Sequence, residues 1–244
     1  MTDGRERSDL RPLRRAALAD NLKRVRERIE AACDGAGRDP AEVRLMGVSK
    51  TQSADVVREA YDAGLRLFGE NRVQEAVDKA EALAEYADLE WAMIGHLQTN
   101  KARDVAGFAR EFHALDSVKV AEALDRRLHD TGRELDVFLQ VNSSDEPQKF
   151  GLPPDQVAPF AEELARFGTL RVRGLMTLAV FSDDQDAVAA CFARMRTLQD
   201  ELREAGVPGR YDELSMGMSG DFELAIAYGA TTVRVGEAIF GPRR

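Results

Sequence analysis

The chain contains six lysines against 28 arginines, and one lysine ends an apolar run. Lys50 is the last residue of VRLMGVSK, a run with the length of a buried strand. By the two-residue period of a strand, Lys50 shares a face with Met46 and Val48. A lysine removed from water has a lowered pKa, and its neutral amine can attack a carbonyl to form a Schiff base. The alternative is that Lys50 extends from the strand end into solvent.

A second group of residues suits an anion. The string SMGMSGD, from Ser215 to Asp221, contains Gly217 and Ser219 and precedes a predicted helix. Small residues allow a close approach of the backbone to a ligand, and a helix N-terminus favours negative charge. The string therefore predicts a phosphate-binding loop, with an ordinary flexible turn as the alternative.

Arg234 follows on the last predicted strand, and the strand period places it on the inward face with Gly236. A buried guanidinium is costly without an anionic partner. Arg234 is therefore a candidate for binding the phosphate. The alternative is a pair with a carboxylate such as Asp221 or Glu237.

The elements that position these residues alternate regularly along the chain. Leu18, Leu22, Val25 and Ile29 mark one face of a leading helix. Eight strand–helix units follow, the last helix being short or missing. This rhythm predicts a (β/α)8 barrel with an extra N-terminal helix, and an open doubly wound sheet is the alternative. The predicted strands cover 43–50, 67–68, 91–94, 112–115, 135–141, 170–178, 213–214 and 232–235.

Residues 12–244 are expected to form this barrel as a single domain, preceded by a disordered tail over residues 1–11. Barrel enzymes place their sites at the carboxyl ends of the strands, and phosphate often binds after strands seven and eight. Lys50 and Arg234 would thus meet at one mouth. A carbonyl compound carrying a phosphate satisfies both, either pyridoxal 5′-phosphate (PLP) or a sugar phosphate in an aldolase-like site.

Composition excludes several other classes. The net charge of −9, from 34 basic and 43 acidic residues, argues against a nucleic-acid binder. No apolar run approaches the roughly 18 residues that span a membrane, and the first fifteen residues do not resemble a secretory signal. Cys33, Cys191 and the three histidines lack metal-ligand spacing, so no metal site is predicted. We expect a reduced, cytoplasmic protein.

Five strings resemble, in order, those of the pyridoxal phosphate homeostasis protein family, whose members are single-domain relatives of the alanine racemase barrel (fold type III). The resemblance covers residues 13–244. The strings are GVSKT (47–51), LFGENRVQE (67–75), WAMIGHLQTNKAR (91–103), RGLMTL (173–178) and SMGMSGDFELAIAYGATTVRVGEAIFG (215–241).

The resemblance implies a role for each candidate residue. Lys50 matches the lysine that holds PLP as an internal aldimine, and Asn71 and Met176 match a polar and an apolar wall of the pocket. Arg234 faces either the phosphate or the pyridine ring. The phosphate is surrounded by the segments that contain Ser215, Gly217, Ser219 and Gly236. No catalytic residue is assigned, and the expected roles of His96, Lys101 and Lys149 are structural or solvent-exposed.

Three functions remain open, and a PLP carrier without efficient turnover is favoured over an amino-acid racemase and a Schiff-base aldolase. Racemases of this fold carry a further β-domain, which supplies a tyrosine as the second acid/base. Here the four tyrosines fall in or beside predicted helices. The expected protein is a monomer that stores, buffers or delivers PLP. Its partners would be PLP and, transiently, PLP-accepting enzymes, with no nucleic acid and no membrane.

Overall fold

Eight parallel strands close into a barrel in the order of the chain. The computed structural model describes residues 3–242 and the side chains of residues 12–242. The first strand pairs with both the second and the eighth, which confirms the predicted barrel and excludes the open sheet. The strands are Arg44–Val48 (β1), Leu67–Glu70 (β2), Glu90–Met93 (β3), Glu111–Leu115 (β4), Leu135–Val141 (β5), Leu170–Thr177 (β6), Glu213–Ser215 (β7) and Thr232–Val235 (β8).

Helices surround the barrel and alternate with the strands. Within residues 3–242, no helix is both long enough and apolar enough to cross a membrane. The last helix has four residues, in line with the short or missing helix that the sequence predicts. The helices are Asp3–Gly35 (α1), Ala54–Asp62 (α2), Val73–Ala82 (α3), Ala102–Phe108 (α4), Val118–Thr131 (α5), Val157–Leu164 (α6), Gln185–Glu204 (α7), Phe222–Ala227 (α8) and Glu237–Phe240 (α9).

Helix α1 packs across the point where the barrel closes. It contacts α2 on one side and α8 and α9 on the other. Its predicted apolar face is buried, and Asn21 Nδ2 donates to Ile239 O at 2.9 Å. Burying each such aliphatic side chain contributes roughly 1.5–3 kcal/mol, so this face anchors α1 to the barrel. The sequence predicts a disordered tail over residues 1–11, whereas α1 begins at Asp3 and includes residues 3–11, whose side chains lie outside those described.

Charged side chains close the amino end of the barrel. Arg44 Nη1 lies 2.5 Å from Glu111 Oε1, and Arg44 Nη2 lies 2.6 Å from Glu213 Oε2. Arg44 also donates to the hydroxyl of Thr232, and Arg173 pairs with Glu213. Above this layer, an apolar cluster fills the interior, formed by Met46, Leu67 and Ala92. In barrels of this kind, ligands bind at the opposite end, where the strands finish.

Strand β6 approaches β7 so closely that only glycine fits at position 174. A Cβ built on Gly174 would lie 1.8 Å from the carbonyl oxygen of Glu213, a backbone atom that cannot rotate away. The register between β5 and β6 also shifts just before this residue. Gly174 therefore allows the barrel to close around Glu213.

We expect Gly174→Ala to lower the free energy of unfolding by roughly 1–3 kcal/mol, the usual cost of overpacking. Urea denaturation followed by circular dichroism measures the change. Gly107→Ala is the matched control, because Gly107 lies inside α4 with nothing within 4 Å of a new Cβ. That variant should gain about 0.5–1 kcal/mol from helix propensity. Equal stability of the two variants would contradict the packing argument.

Candidate functional site

Lys50 lies in the turn after β1, two residues beyond the end of the strand at Val48. The strand is thus shorter than predicted, and the Lys50 side chain is half-buried at the mouth. Gly236 follows β8 on one side, where a Cβ would lie 3.2 Å from Val48 O. Asn71 follows β2 on the other side. The structure therefore brings Lys50, Asn71 and Gly236 to three adjacent strand ends.

Arg234 points into the barrel from β8 and contacts β6 and β7. Its Nη1 donates to Ser215 Oγ at 2.8 Å, and its Nη2 donates to Thr177 O at 2.7 Å. Met176, the residue before Thr177, pairs in register with Ser215 and is buried. Three predicted site residues, Met176, Ser215 and Arg234, thus lie together in the interior below the mouth.

The loop after β7 is a tight turn into α8. Met218 N donates to Asp221 Oδ1 at 2.5 Å, and Asp221 N donates back to Met218 O. Gly217 has φ 91°, and a Cβ on it would lie 2.7 Å from Ala225 Cβ. Ser219 Oγ accepts from Ala238 N at 3.4 Å, so this hydroxyl contacts α9 rather than Arg234. The loop thus forms a turn, the alternative that the sequence analysis gave to a phosphate-binding loop. That it binds phosphate stays a prediction.

The positive charge of Arg234 has no carboxylate in contact with it among residues 12–242. Both its hydrogen-bond acceptors are neutral oxygens. Burial lowers the pKa of Arg234 to about 10, and the more distant Asp221 acts in the opposite direction. The pair with Asp221 or Glu237 that the sequence left open is therefore not formed. A cation in this position is suited to an incoming acceptor or anion.

A chain of hydrogen bonds fixes how Arg234 is held. Ser215 Oγ lies 2.9 Å from His113 Nδ1, and His113 Nε2 lies 2.7 Å from Glu111 Oε2. Burial raises the pKa of Glu111, but the contacts with His113 and Arg44 outweigh it and hold that pKa below its usual range. Glu111 is thus an acceptor, so the His113 proton sits on Nε2 and Nδ1 accepts from Ser215. The hydroxyl of Ser215 therefore donates to His113, which leaves it no proton for a phosphate oxygen.

Asn71 carries a buried acceptor that the described residues leave unpaired. Its Oδ1 has no hydrogen-bond partner. The backbone there is tightly packed, since a Cβ on Gly95 would lie 2.2 Å from Asn71 O. A buried amide oxygen without a donor costs roughly 1–3 kcal/mol. A ligand hydroxyl or amine that donates to Oδ1 would remove this cost.

Sequence reasoning missed Glu111, His113 and Thr177. Glu111 and His113 stand two apart on β4 and so share the inward face, a signal the sequence carries. Their contact with Ser215 on β7 could not be predicted, because it depends on the closure of the barrel.

The three residues with expected structural or surface roles make contacts within the protein. The ring of His96 stacks on Phe150, with centroids 4.3 Å apart. Lys149 Nζ donates to Ala179 O and pairs with Glu146, and Lys101 lies near Asp104. These contacts agree with structural or surface roles.

We expect His113 to titrate below an ordinary histidine in the folded protein, and its neutral ring to carry the proton on Nε2. Burial lowers its pKa, the charges of Arg234 and Arg44 lower it further, and Glu111 opposes them. His113 binds a proton near pH 6.5 in the unfolded chain but only at lower pH in the folded chain. The free energy of unfolding therefore decreases as the pH falls below about 6.5. Nitrogen-15 NMR of labelled histidine measures both tautomer and titration.

The variants His96→Gln and His129→Gln assign the other two imidazoles in those spectra. A doubly protonated His113 ring at pH 6.5, or a proton on Nδ1, would contradict the direction assigned to the hydrogen-bond chain.

Comparison with known proteins identifies the family and the fold. The family model described as alanine racemase, N-terminal domain, matches residues 13–244. The pyridoxal phosphate homeostasis protein of Pseudomonas aeruginosa is 43% identical over 228 residues, which are 93% of this chain and 96% of that protein.

Two solved structures show the same architecture. PipY of Synechococcus elongatus, solved with PLP bound, superposes with a TM-score of 0.82 at 39% identity and covers 92% of this chain and 100% of its own. Alanine racemase of Clostridium difficile superposes with a TM-score of 0.74 at 16% identity, so it shows the fold alone. The match covers 93% of this chain and 57% of the racemase. This chain belongs to the pyridoxal phosphate homeostasis protein family and has the barrel of the alanine racemase N-terminal domain.

Proposed function

We propose that this chain holds PLP as a Schiff base with Lys50 and stores, buffers or delivers it without efficient turnover. The observation that carries the proposal is the buried cation of Arg234, which has no carboxylate partner among the described residues and lies below the mouth where Lys50 stands. PipY, 39% identical, supports it, because that protein has been solved with PLP bound.

The residues at the mouth fit the chemical groups of PLP. Bound PLP supplies an aldehyde, a phosphate, a phenolic hydroxyl and a pyridine nitrogen. Lys50 offers the amine, and Arg234 offers positive charge to the phosphate or to the ring nitrogen. Asn71 Oδ1 is a buried acceptor without a hydrogen-bond donor among the described residues, and the phenolic hydroxyl of PLP is a donor. Met176 provides an apolar wall, and Gly236 leaves backbone room beside Val48.

The phosphate contacts of this proposal come from the loop after β7 and the end of β8. Gly217 and Gly236 keep the backbone free of side chains there, and Ser219 lies in the same loop. Ser215 contributes through Arg234, since its hydroxyl proton is directed to His113. An arginine at the ring nitrogen would keep that nitrogen unprotonated and weaken the electron sink that PLP enzymes exploit.

The placement of the tyrosines supports a carrier over a racemase. Racemisation requires an acid/base group on each face of the reacting carbon. All four tyrosines lie on the amino side of the barrel: Tyr61 ends α2, Tyr86 follows α3, Tyr228 follows α8, and Tyr211 precedes β7. The hydroxyl of Tyr211 donates to Pro208 O. None of them stands at the mouth with Lys50.

As a carrier, this protein would act in the cytoplasm as a monomeric barrel domain over residues 12–244. Its ligand is PLP, and its transient partners are enzymes that accept PLP. A reversible covalent bond suits this role, because it withholds the aldehyde from other amines while the half-buried position of Lys50 allows exchange.

Lys50→Ala should abolish covalent capture of PLP with little change in melting temperature. The protein is mixed with PLP, reduced with borohydride and analysed by intact mass and peptide mapping. Wild type should gain one phosphopyridoxyl group on Lys50. Lys149→Ala is the matched control, a lysine in a mouth loop that should leave capture unchanged. A stoichiometric adduct on Lys50→Ala would overturn the assignment of this lysine.

The same wild-type sample tests turnover. It is incubated with single enantiomers of amino acids, and the opposite enantiomer is measured by chiral chromatography. The proposal requires no racemisation above that of free PLP, whereas turnover would favour the racemase.

Arg234→Gln should weaken PLP retention by roughly 1.5–3 kcal/mol, the value of a charge-assisted contact. Glutamine keeps an amide donor for the oxygens of Ser215 and Thr177 but removes the charge. Equilibrium dialysis of PLP, alongside the melting temperature of the unloaded protein, separates binding from folding. Unchanged affinity would remove Arg234 from the binding site.

A further inference from the structure

The turn that carries Lys50 has a strained backbone. Thr51, the next residue, has φ 66°, in the left-handed region. A β-branched residue there costs on the order of 1–3 kcal/mol and persists only where neighbouring groups hold it. What holds Thr51 therefore also fixes the direction in which the Lys50 side chain leaves the backbone.

Helix α3 contacts the backbone on both sides of Lys50. Glu75 Oε2 accepts from Thr51 N at 3.0 Å, and Lys79 Nζ donates to Ser49 O at 2.8 Å. Glu75 and Lys79 are four residues apart and so lie on one face of the helix. The residue before Lys50 and the residue after it are thus each bonded to a side chain of α3.

A buried ion pair supports the Ser49 side of the turn. Lys79 Nζ lies 2.6 Å from Glu70 Oε1, and Ser49 Oγ donates to the same oxygen at 2.6 Å. All three residues are at most 6% exposed. Burial raises the pKa of Glu70, while Lys79 and Ser49 oppose it. An apolar pair of similar volume would serve stability as well, so the polar trio is better explained by the geometry that it imposes on Ser49.

We propose that Glu75 and Lys79 are positioning residues for Lys50, which hold its turn from both sides so that its amine meets an incoming aldehyde in one orientation. The inference rests on the proposed function, since it assumes that Lys50 captures PLP. Positioning affects the rate of capture more than the stability of the protein, because misplacing a reacting group by about 1 Å can cost a hundredfold in rate.

Glu75 is a half-buried side chain that also pairs with Arg72, and two substitutions separate the acceptor oxygen from the charge. Glu75→Gln keeps an oxygen that accepts from Thr51 N, whereas Glu75→Leu removes it. Glu81→Leu is the matched control, an exposed glutamate on the same helix. The rate constant for borohydride-trapped PLP capture is measured over pH 6–9, with the melting temperature and the hydrogen exchange of the Thr51 amide in the unloaded protein.

We expect Glu75→Leu to capture PLP roughly ten- to a hundredfold more slowly, with an altered pH profile and faster exchange of the Thr51 amide. Glu75→Gln and Glu81→Leu should stay within about twofold of wild type. Wild-type rates in Glu75→Leu, or an equal loss in Glu75→Gln, would overturn the role of Glu75. A loss that merely follows the unfolded fraction would show a structural role instead.

The Lys79 side is tested in a double variant, Glu70→Gln with Lys79→Met, which removes both buried charges together. This avoids an unpaired buried charge, which would unfold the protein for unrelated reasons. Slower capture in a folded double variant is the expected result, and an unchanged rate and pH profile would overturn the role of Lys79. If wild type itself forms no adduct on Lys50, the proposed function fails, whereas equal capture by all variants defeats only the positioning role.

Discussion

The positive charge of Arg234 inside the barrel is the constraint that the surrounding residues satisfy. Its two terminal nitrogens are held by neutral oxygens, Ser215 Oγ and Thr177 O. Ser215 accepts from Arg234 while its own proton is directed to His113, whose tautomer is set by Glu111. Arg44 in turn holds Glu111 at the amino end. One continuous set of contacts therefore links the closed end of the barrel to the site.

Inside the barrel, charged and polar groups are paired differently at the two ends. At the amino end, carboxylates and guanidinium groups pair directly, and the interior is closed. Toward the carboxyl end, the cation of Arg234 and the acceptor of Asn71 lack such partners among the described residues. In barrels of this kind, the amino end serves stability and the carboxyl end serves binding. Arg234 and Asn71 therefore lie toward the end of the barrel at which ligands bind in this fold.

The alternating periods of the sequence predict the barrel, and the two-residue period predicts the inward face for Arg234, which lies within β8. Other features depend on the closed structure. His113 meets Ser215 across the interior, at a sequence separation of 102 residues, so no local pattern signals the contact. The loop sequence predicts Ser219 beside the phosphate, and the contact of its hydroxyl with α9 carries no local signal. The turn at Lys50 replaces the last two residues of the predicted strand, and the residue that follows, Thr51, has a left-handed backbone whose N–H donates to Glu75 of α3.

The ion pair of Lys79 also bears on chemoselectivity. An ammonium group whose hydrogens are donated to Glu70 and Ser49 has no lone pair to offer a carbonyl carbon, so this neighbouring amine is masked. Guanidinium groups stay protonated and do not compete for aldehydes. Because 28 of its 34 basic residues are arginines, most of the positive charge of the chain is on groups that do not react with aldehydes. For a protein that holds a reactive aldehyde, this composition favours one adduct per chain.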